Sequence, residues 1–220
     1  RHTRYISVTG VQTCALPILS ALMSKREAFV GLDLAGDEAR FPGDLFVEHF
    51  KKAREIGWHI TVHAGEADGV DSIKDALVSG RALRLGHRVR VSEDILRSRS
   101  EGETDFVELG PIARWVYDRG IPLELCPSSN LQTGAIQAWG EDFSDHPFHI
   151  LYDLGFKVTV NTDNRLMSRT TLTRELELLV EHFEYELGDI EQFQINAAEA
   201  SFQEFEADRK STRLNSSHTD

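Results

Sequence analysis

Short apolar, β-branched runs recur along this chain at intervals of about 30 residues, and nearly every one ends in a cluster of polar side chains. FVGLDLA (29–35), WHITVHA (58–64), LRLGH (83–87), IPLELC (121–126) and FKVTVNT (156–162) read as strands. Helical spacing of apolar residues fills the intervals, at 44–57, 70–79, 93–119 (broken near Gly110-Pro111), 145–155 and 171–186, with a last helix near 190–205. Repeated strand-helix units require right-handed crossovers and a parallel sheet. Two architectures satisfy that: an open doubly wound sheet, or part of an eight-unit barrel.

The polar exits separate them. The five strands run into Ala35-Gly36-Asp37-Glu38, His63-Ala64-Gly65-Glu66, Gly86-His87, Cys126-Pro127-Ser128-Ser129-Asn130 and Asn161-Thr162-Asp163-Asn164. A doubly wound sheet gathers its chemistry at one switch point, whereas a barrel draws it from the carboxyl ends of many strands. The even distribution here favours an α/β fold of the incomplete (β/α)8 TIM-barrel type. No glycine-rich dinucleotide or phosphate loop argues otherwise.

Composition narrows the partners. The chain has 24 basic and 36 acidic residues in 220, a formal net charge of -12, and no basic stripe. Such a balance repels polyanions, so neither nucleic acid nor an anionic membrane surface is expected as a partner. No apolar run approaches the roughly 18 residues of a spanning helix, and the amino terminus lacks the order of a secretory signal.

Both ends read as foreign. Val8–Ile18, VTGVQTCALPI, can be encoded by a DNA string whose reverse complement encodes DRKSTRLNSSH, the sequence of Asp208–His218. A sequencing-library adapter read through at both ends of a fragment produces that relation. Residues 1–18 and 208–220 are therefore expected to be adapter-derived, and 19–207 to be the C-terminal part of a barrel. That remainder holds 19 basic and 34 acidic residues and the single cysteine Cys126, which fits a reducing cytoplasm.

Alternation in the second strand puts His59, Thr61 and His63 on one face, with His63 at the exit. Glu66 follows across an Ala-Gly turn, bringing an imidazole and a carboxylate to the same mouth. Asp163 leaves the fifth strand on the face of Asn161 and Thr159. His63, His87 and Asp163 suit zinc, and Glu66 is a free carboxylate for proton transfer, a set that points to a metal hydrolase. His59, deeper in its strand, has a structural role, and His146 and His149, three apart beside Pro147, are expected to face solvent.

GLDLAGDE (31–38), GWHITVHAGE (57–66), RLGH (84–87), LELCPSSNLQTGA (123–135) and VTVNTDN (158–164) resemble the successive strand-end motifs of the adenosine deaminase family, within the metal-dependent amidohydrolase superfamily. The resemblance covers essentially all of 29–200 and implies strands four to eight of an eight-stranded (β/α) barrel holding one Zn2+. It makes His63 and Asp163 metal ligands and Glu66 the proton donor to the purine ring. It makes His87 the group that orients and deprotonates the attacking water, and Gly36 a backbone contact to the purine. It implies a small purine nucleoside as substrate, adenosine or deoxyadenosine going to inosine and ammonia, with adenine or another aminopurine as the alternative. A non-catalytic gene fragment is the reading from a different class.

Three departures accompany it. The two remaining zinc ligands belong to a His-x-His pair that occurs nowhere here, so they are expected from a missing N-terminal part, and this chain alone is expected to be inactive. Asn164 stands where most members carry a second Asp that hydrogen-bonds the purine. Arg88 stands where a glycine follows the histidine. Oligomeric state is left open.

Overall fold

The computed structural model describes residues 4–9, 21–24, 29–101 and 104–202, without the side chains of 4–9, 97–101 and 104–106. In chain order the strands are β1 (Arg4–Thr9), β2 (Phe29–Ala35), β3 (His59–His63), β4 (Arg84–Gly86), β5 (Ile95–Glu101), β6 (Thr104–Leu109), β7 (Leu123–Leu125) and β8 (Val158–Val160). Six of them form one sheet in the order β1-β2-β3-β4-β7-β8, every pair parallel, and β5 and β6 form a separate antiparallel hairpin. The order rises steadily from one edge to the other. A doubly wound sheet reverses direction at its switch point, so steady winding is that of a barrel wall.

Register sorts the side chains onto two faces. Leu32, Leu34, Ile60, Val62, Leu85, Leu123, Leu125, Val158 and Val160 share one face and are all buried. Each such burial contributes about 1.5–3 kcal/mol. The other face carries Asp33, Thr61, His63, Arg84, Glu124 and Thr159, a polar layer toward the axis. The apolar face packs under α1 (Val47–Glu55), α2 (Gly69–Val78) and α3 (Pro111–Asp118), which bring in Phe50, Ala53, Ile73, Ala76, Leu77, Ala113 and Val116. Four further helices follow the strand exits and close the outer layer: α4 (Pro127–Gln132), α5 (Phe148–Asp153), α6 (Arg165–Ser168) and α7 (Leu172–Phe183). The last, α8 (Leu187–Glu199), packs on β8.

The five expected strands are all present, the first over its full expected span and the other four trimmed at their ends, and four expectations need correction. The helix read over 93–119 is helical only from Pro111. Residues 89–94 form a 3-10 turn, and 95–101 and 104–109 become the antiparallel pair β5–β6, since ILRSRSE and TDFVEL lack a sustained 3.6-residue apolar stripe. The last helix ends at Glu199, and residues 203–205 of its expected span lie outside the described residues. The helix read over 145–155 forms only from Phe148, behind a short 3-10 turn at Phe143–Asp145. His146, expected at the surface, is completely buried between those two pieces.

β1 lies in the segment read as adapter-derived and pairs in parallel with β2, from Arg4 opposite Phe29 to Thr9 opposite Ala35. Pairing at an open sheet edge uses backbone groups and makes little demand on side-chain identity.

Candidate active site

Five strand exits meet at one mouth. Gly36 leaves β2 with φ 142, exposed, and lines a small cavity with Asp37, Glu38, Phe41, Phe46 and His63. His63 ends β3 half-buried, and its Nε2 lies 3.4 Å from Asp33 Oδ2. Burial opposes a charge on that ring, but the Asp33 carboxylate, with help from Glu124, outweighs it and holds the pKa above the ordinary histidine value. Glu66 reaches across to His87, with Oε1 3.6 Å from Nδ1.

His87 reaches the site by a backbone device. Gly86 belongs to the axis-facing layer, so strand alternation would turn the next side chain toward the helices. A φ of +60 at His87 swings it back instead. Its ring centre then lies 4.8 Å from that of His63, and its Nε2 lies 3.8 Å from Asp163 Oδ1. Burial lowers the His87 pKa despite the carboxylates of Glu66 and Asp163, so the ring is a neutral acceptor near pH 7.

Asp163 follows β8, also left-handed at φ 51, and its Oδ2 accepts a hydrogen bond from Ser129 Oγ at 2.8 Å. Ser129 is placed by α4, whose Ser128 N–H donates to the fully buried Glu175 Oε2 at 3.0 Å. Asn164 is the N-cap of α6: its Oδ1 accepts from Leu166 and Met167 N–H at 3.2 and 3.1 Å, which occupies the side chain as a cap.

Arg88 is accommodated where a glycine was expected. Its φ of -72 makes no demand for glycine, and the side chain is 0% exposed. Nε donates to Gly86 O at 3.2 Å and Nη2 to Val62 O, tying together the exits of β3 and β4. Burial pulls its pKa down to about 9, partly offset by Glu38, Glu124 and Asp33.

Of the six expected site residues, His63, Glu66, His87 and Asp163 come together, Gly36 shares a small cavity with His63, and Asn164 is turned to capping. Reasoning from the sequence missed Asp33, Glu124 and Ser129. Asp33 and Glu124 carry the axis-facing parity of their strands, and that parity is the signal that marks them. The donors His63 and Asp163 are of the kinds zinc takes. Among the described residues no group of three or more His, Cys, Asp or Glu side chains is gathered closely enough to hold a metal ion. Cys126 is buried, and burial raises its thiol well above the usual range, which keeps it protonated.

A sequence model described as adenosine deaminase matches residues 7–216. The chain belongs to the adenosine deaminase family. Adenosine deaminase 1 of Streptomyces coelicolor is 47% identical to it over 177 residues, which are 80% of this chain and 43% of that protein. The chain spans about half the length of the curated relatives it matches. Among solved structures, an adenine deaminase from Arthrobacter aurescens superposes with a TM-score of 0.84 at 21% identity, over 98% of this chain and 61% of that one. An amidohydrolase from Burkholderia ambifaria with bound Zn superposes with a TM-score of 0.80 at 19% identity, over 97% and 56%. At those identities the likeness concerns the fold, and it agrees with the barrel-wall order of the sheet. The described residues of this adenosine deaminase family chain hold no helix long and apolar enough to cross a membrane.

Proposed function

We propose that the protein carrying this chain deaminates adenosine and deoxyadenosine hydrolytically, to inosine or deoxyinosine and ammonia, with one zinc ion held in part by His63 and Asp163. The observation that carries the reading is the meeting of His63, Glu66, His87 and Asp163 at one mouth, delivered by the exits of β3, β4 and β8. The 47% identity to a protein named adenosine deaminase supports the choice of substrate. Zinc, when bound, supplies Lewis acidity that brings the pKa of a water near neutrality.

The residues of this chain divide the remaining work. His87, kept neutral by burial, accepts the proton of the attacking water. Glu66 donates a proton to the ring nitrogen beside the amino-bearing carbon, which makes that carbon electrophilic. Ser129 holds one oxygen of Asp163 and leaves the other facing His87. The Gly36 backbone, open at the mouth, contacts the purine. Protonation of the departing amine and loss of ammonia complete the change.

Two of four ligands do not make a tight zinc site, so the 220-residue chain by itself is expected to be inactive and to bind zinc weakly. The test is a comparison of this chain with the complete protein, for zinc content and for ammonia release from adenosine, deoxyadenosine and adenine. The complete protein is expected to prefer the nucleosides, and Glu66→Gln to lower kcat by at least about 100-fold. Loading with zinc and no turnover of any of the three substrates refutes the reading. A preference for free adenine moves it to the second substrate class.

A further inference from the structure

Glu38 leaves β2 two residues after Gly36, and the chemistry above gives it no part. It is 8% exposed, and one of its oxygens, Oε1, accepts three successive backbone N–H groups from 28 to 30 residues away. These are Glu66 at 3.0 Å, Ala67, and Asp68 at 2.6 Å. They are the amides of the turn that carries Glu66 from β3 to α2. Its neighbours complete the anchoring. Ala64 N–H donates to Gly86 O at 3.3 Å and Gly65 N–H to Ser72 Oγ at 2.7 Å, so every amide from 64 to 68 is engaged. On the carbonyl side, Arg90 N–H donates to Gly65 O at 3.2 Å and its Nη1 to Ala67 O at 2.9 Å. Gly65 has φ +74, and a Cβ there would stand 2.7 Å from the Ile73 side chain, so the turn admits glycine alone.

Successive N–H groups pointing into one concavity form a nest that binds an anion. Here the anion is the protein's own carboxylate. Three charge-assisted hydrogen bonds on one buried oxygen are strong and directional, and the backbone they fix is that of Glu66. The second oxygen, Oε2, is buried without a hydrogen-bond partner, so the carboxylate makes no competing bond that would draw it out of the nest. The buried Arg88 guanidinium supplies nearby opposite charge.

We propose that Glu38 is a positioning residue that holds the Glu66 turn in the conformation presenting its carboxyl to His87 and the substrate ring. The turn clamp is a statement about this chain alone; its catalytic consequence rests on Glu66 being the proton donor.

Hydrogen exchange in the 220-residue chain tests the clamp. Glu38→Leu fills the same buried space without an acceptor, and Glu38→Gln keeps one. The amides of 66–68 are expected to lose at least about tenfold of their protection in the leucine variant and to recover most of it in the glutamine variant, while those of α2 stay unchanged. Unaltered protection at 66–68 in a folded Glu38→Leu chain overturns the proposal, as does equal loss of protection with glutamine and leucine. Should the leucine variant fail to fold, Glu38→Ala takes its place: the glutamine variant is expected to keep the amides of 66–68 at least about tenfold more protected than the alanine variant does, and equal protection in the two overturns the proposal.

In the complete protein, Glu38→Leu is expected to lower kcat at least tenfold with KM changed less than threefold, and to add nothing in a Glu66→Gln background. A further fall in that background overturns the positioning role. If Glu66→Gln leaves turnover intact, the deaminase reading fails, and the exchange result still judges the clamp separately.

Discussion

Acidification should strike this fold first at His146. The ring is 0% exposed, with Nδ1 accepting the Phe148 N–H at 3.0 Å and Nε2 lying 3.4 Å from Asn130 Oδ1, an arrangement that fits a neutral ring protonated on Nε2. Burial, with a smaller push from His149, lowers its pKa from 6.5 to about 3. The folded value is the lower one, so on acidification the unfolded chain takes up the proton first. The contribution of the neutral ring is therefore intact above the unfolded pKa and is lost progressively as the pH falls from about 6.5 toward 3. A depression of this size corresponds to a full linked loss of roughly 5 kcal/mol, of which about 2 kcal/mol falls between pH 7 and pH 5.

Against a typical domain stability of about 5–15 kcal/mol, 2 kcal/mol is a large share. Urea unfolding followed by the fluorescence of Trp58, Trp115 and Trp139, at both pH values, measures it. His146→Gln can accept from Phe148 and donate to Asn130 but does not titrate. The parent chain should lose about 2 kcal/mol more than the variant on going from pH 7 to pH 5. His49 and His87, whose pKa values burial also lowers, act with the same sign in both proteins and cancel from the difference. Equal losses in the two proteins would refute the reasoning.

Three further outcomes are expected. Gly31→Ala places a Cβ 2.9 Å from His59 O and 3.1 Å from the Phe202 ring, so the urea midpoint should fall by the equivalent of about 1–3 kcal/mol. Glu175→Ala removes the buried acceptor of the Ser128 N–H and should cost about 1–3 kcal/mol in the same assay, with Glu175→Gln recovering most of it. Ser129→Ala releases Asp163 Oδ2; chelator competition on the complete protein should register a 10- to 100-fold weaker hold on zinc, and unchanged affinity would remove Asp163 from the ligand set.

What could be read in advance followed from strand alternation. His63 and Asp163 sit at exits on the axis-facing parity, so their convergence needed only a parallel sheet with steady winding. Asp33 and Glu124 obey the same parity but lie within strands, where a lone carboxylate carries no local mark. His87 runs against parity and reaches the mouth through one left-handed residue, which periodicity does not encode. His146 was expected at the surface from its place beside Pro147; its burial comes from the adjacent Phe143 and Phe148 and from the aromatic layer of Phe183, Tyr185 and Phe193, brought in from distant sequence. The β5–β6 pair replaces an expected helix because its two segments supply no continuous apolar stripe, leaving strand pairing as their source of hydrogen bonds.

The left-handed residues at His87 and Asp163 bear on how such an enzyme could be improved in the laboratory. Each stores backbone strain of about 1–3 kcal/mol at a position where glycine would be relaxed and asparagine nearly so. A library screened only for survival on heating would therefore tend to enrich glycine or asparagine at both positions, returning sturdier proteins that have discarded the proton acceptor and the metal ligand proposed above. Robustness and turnover would have to be selected together.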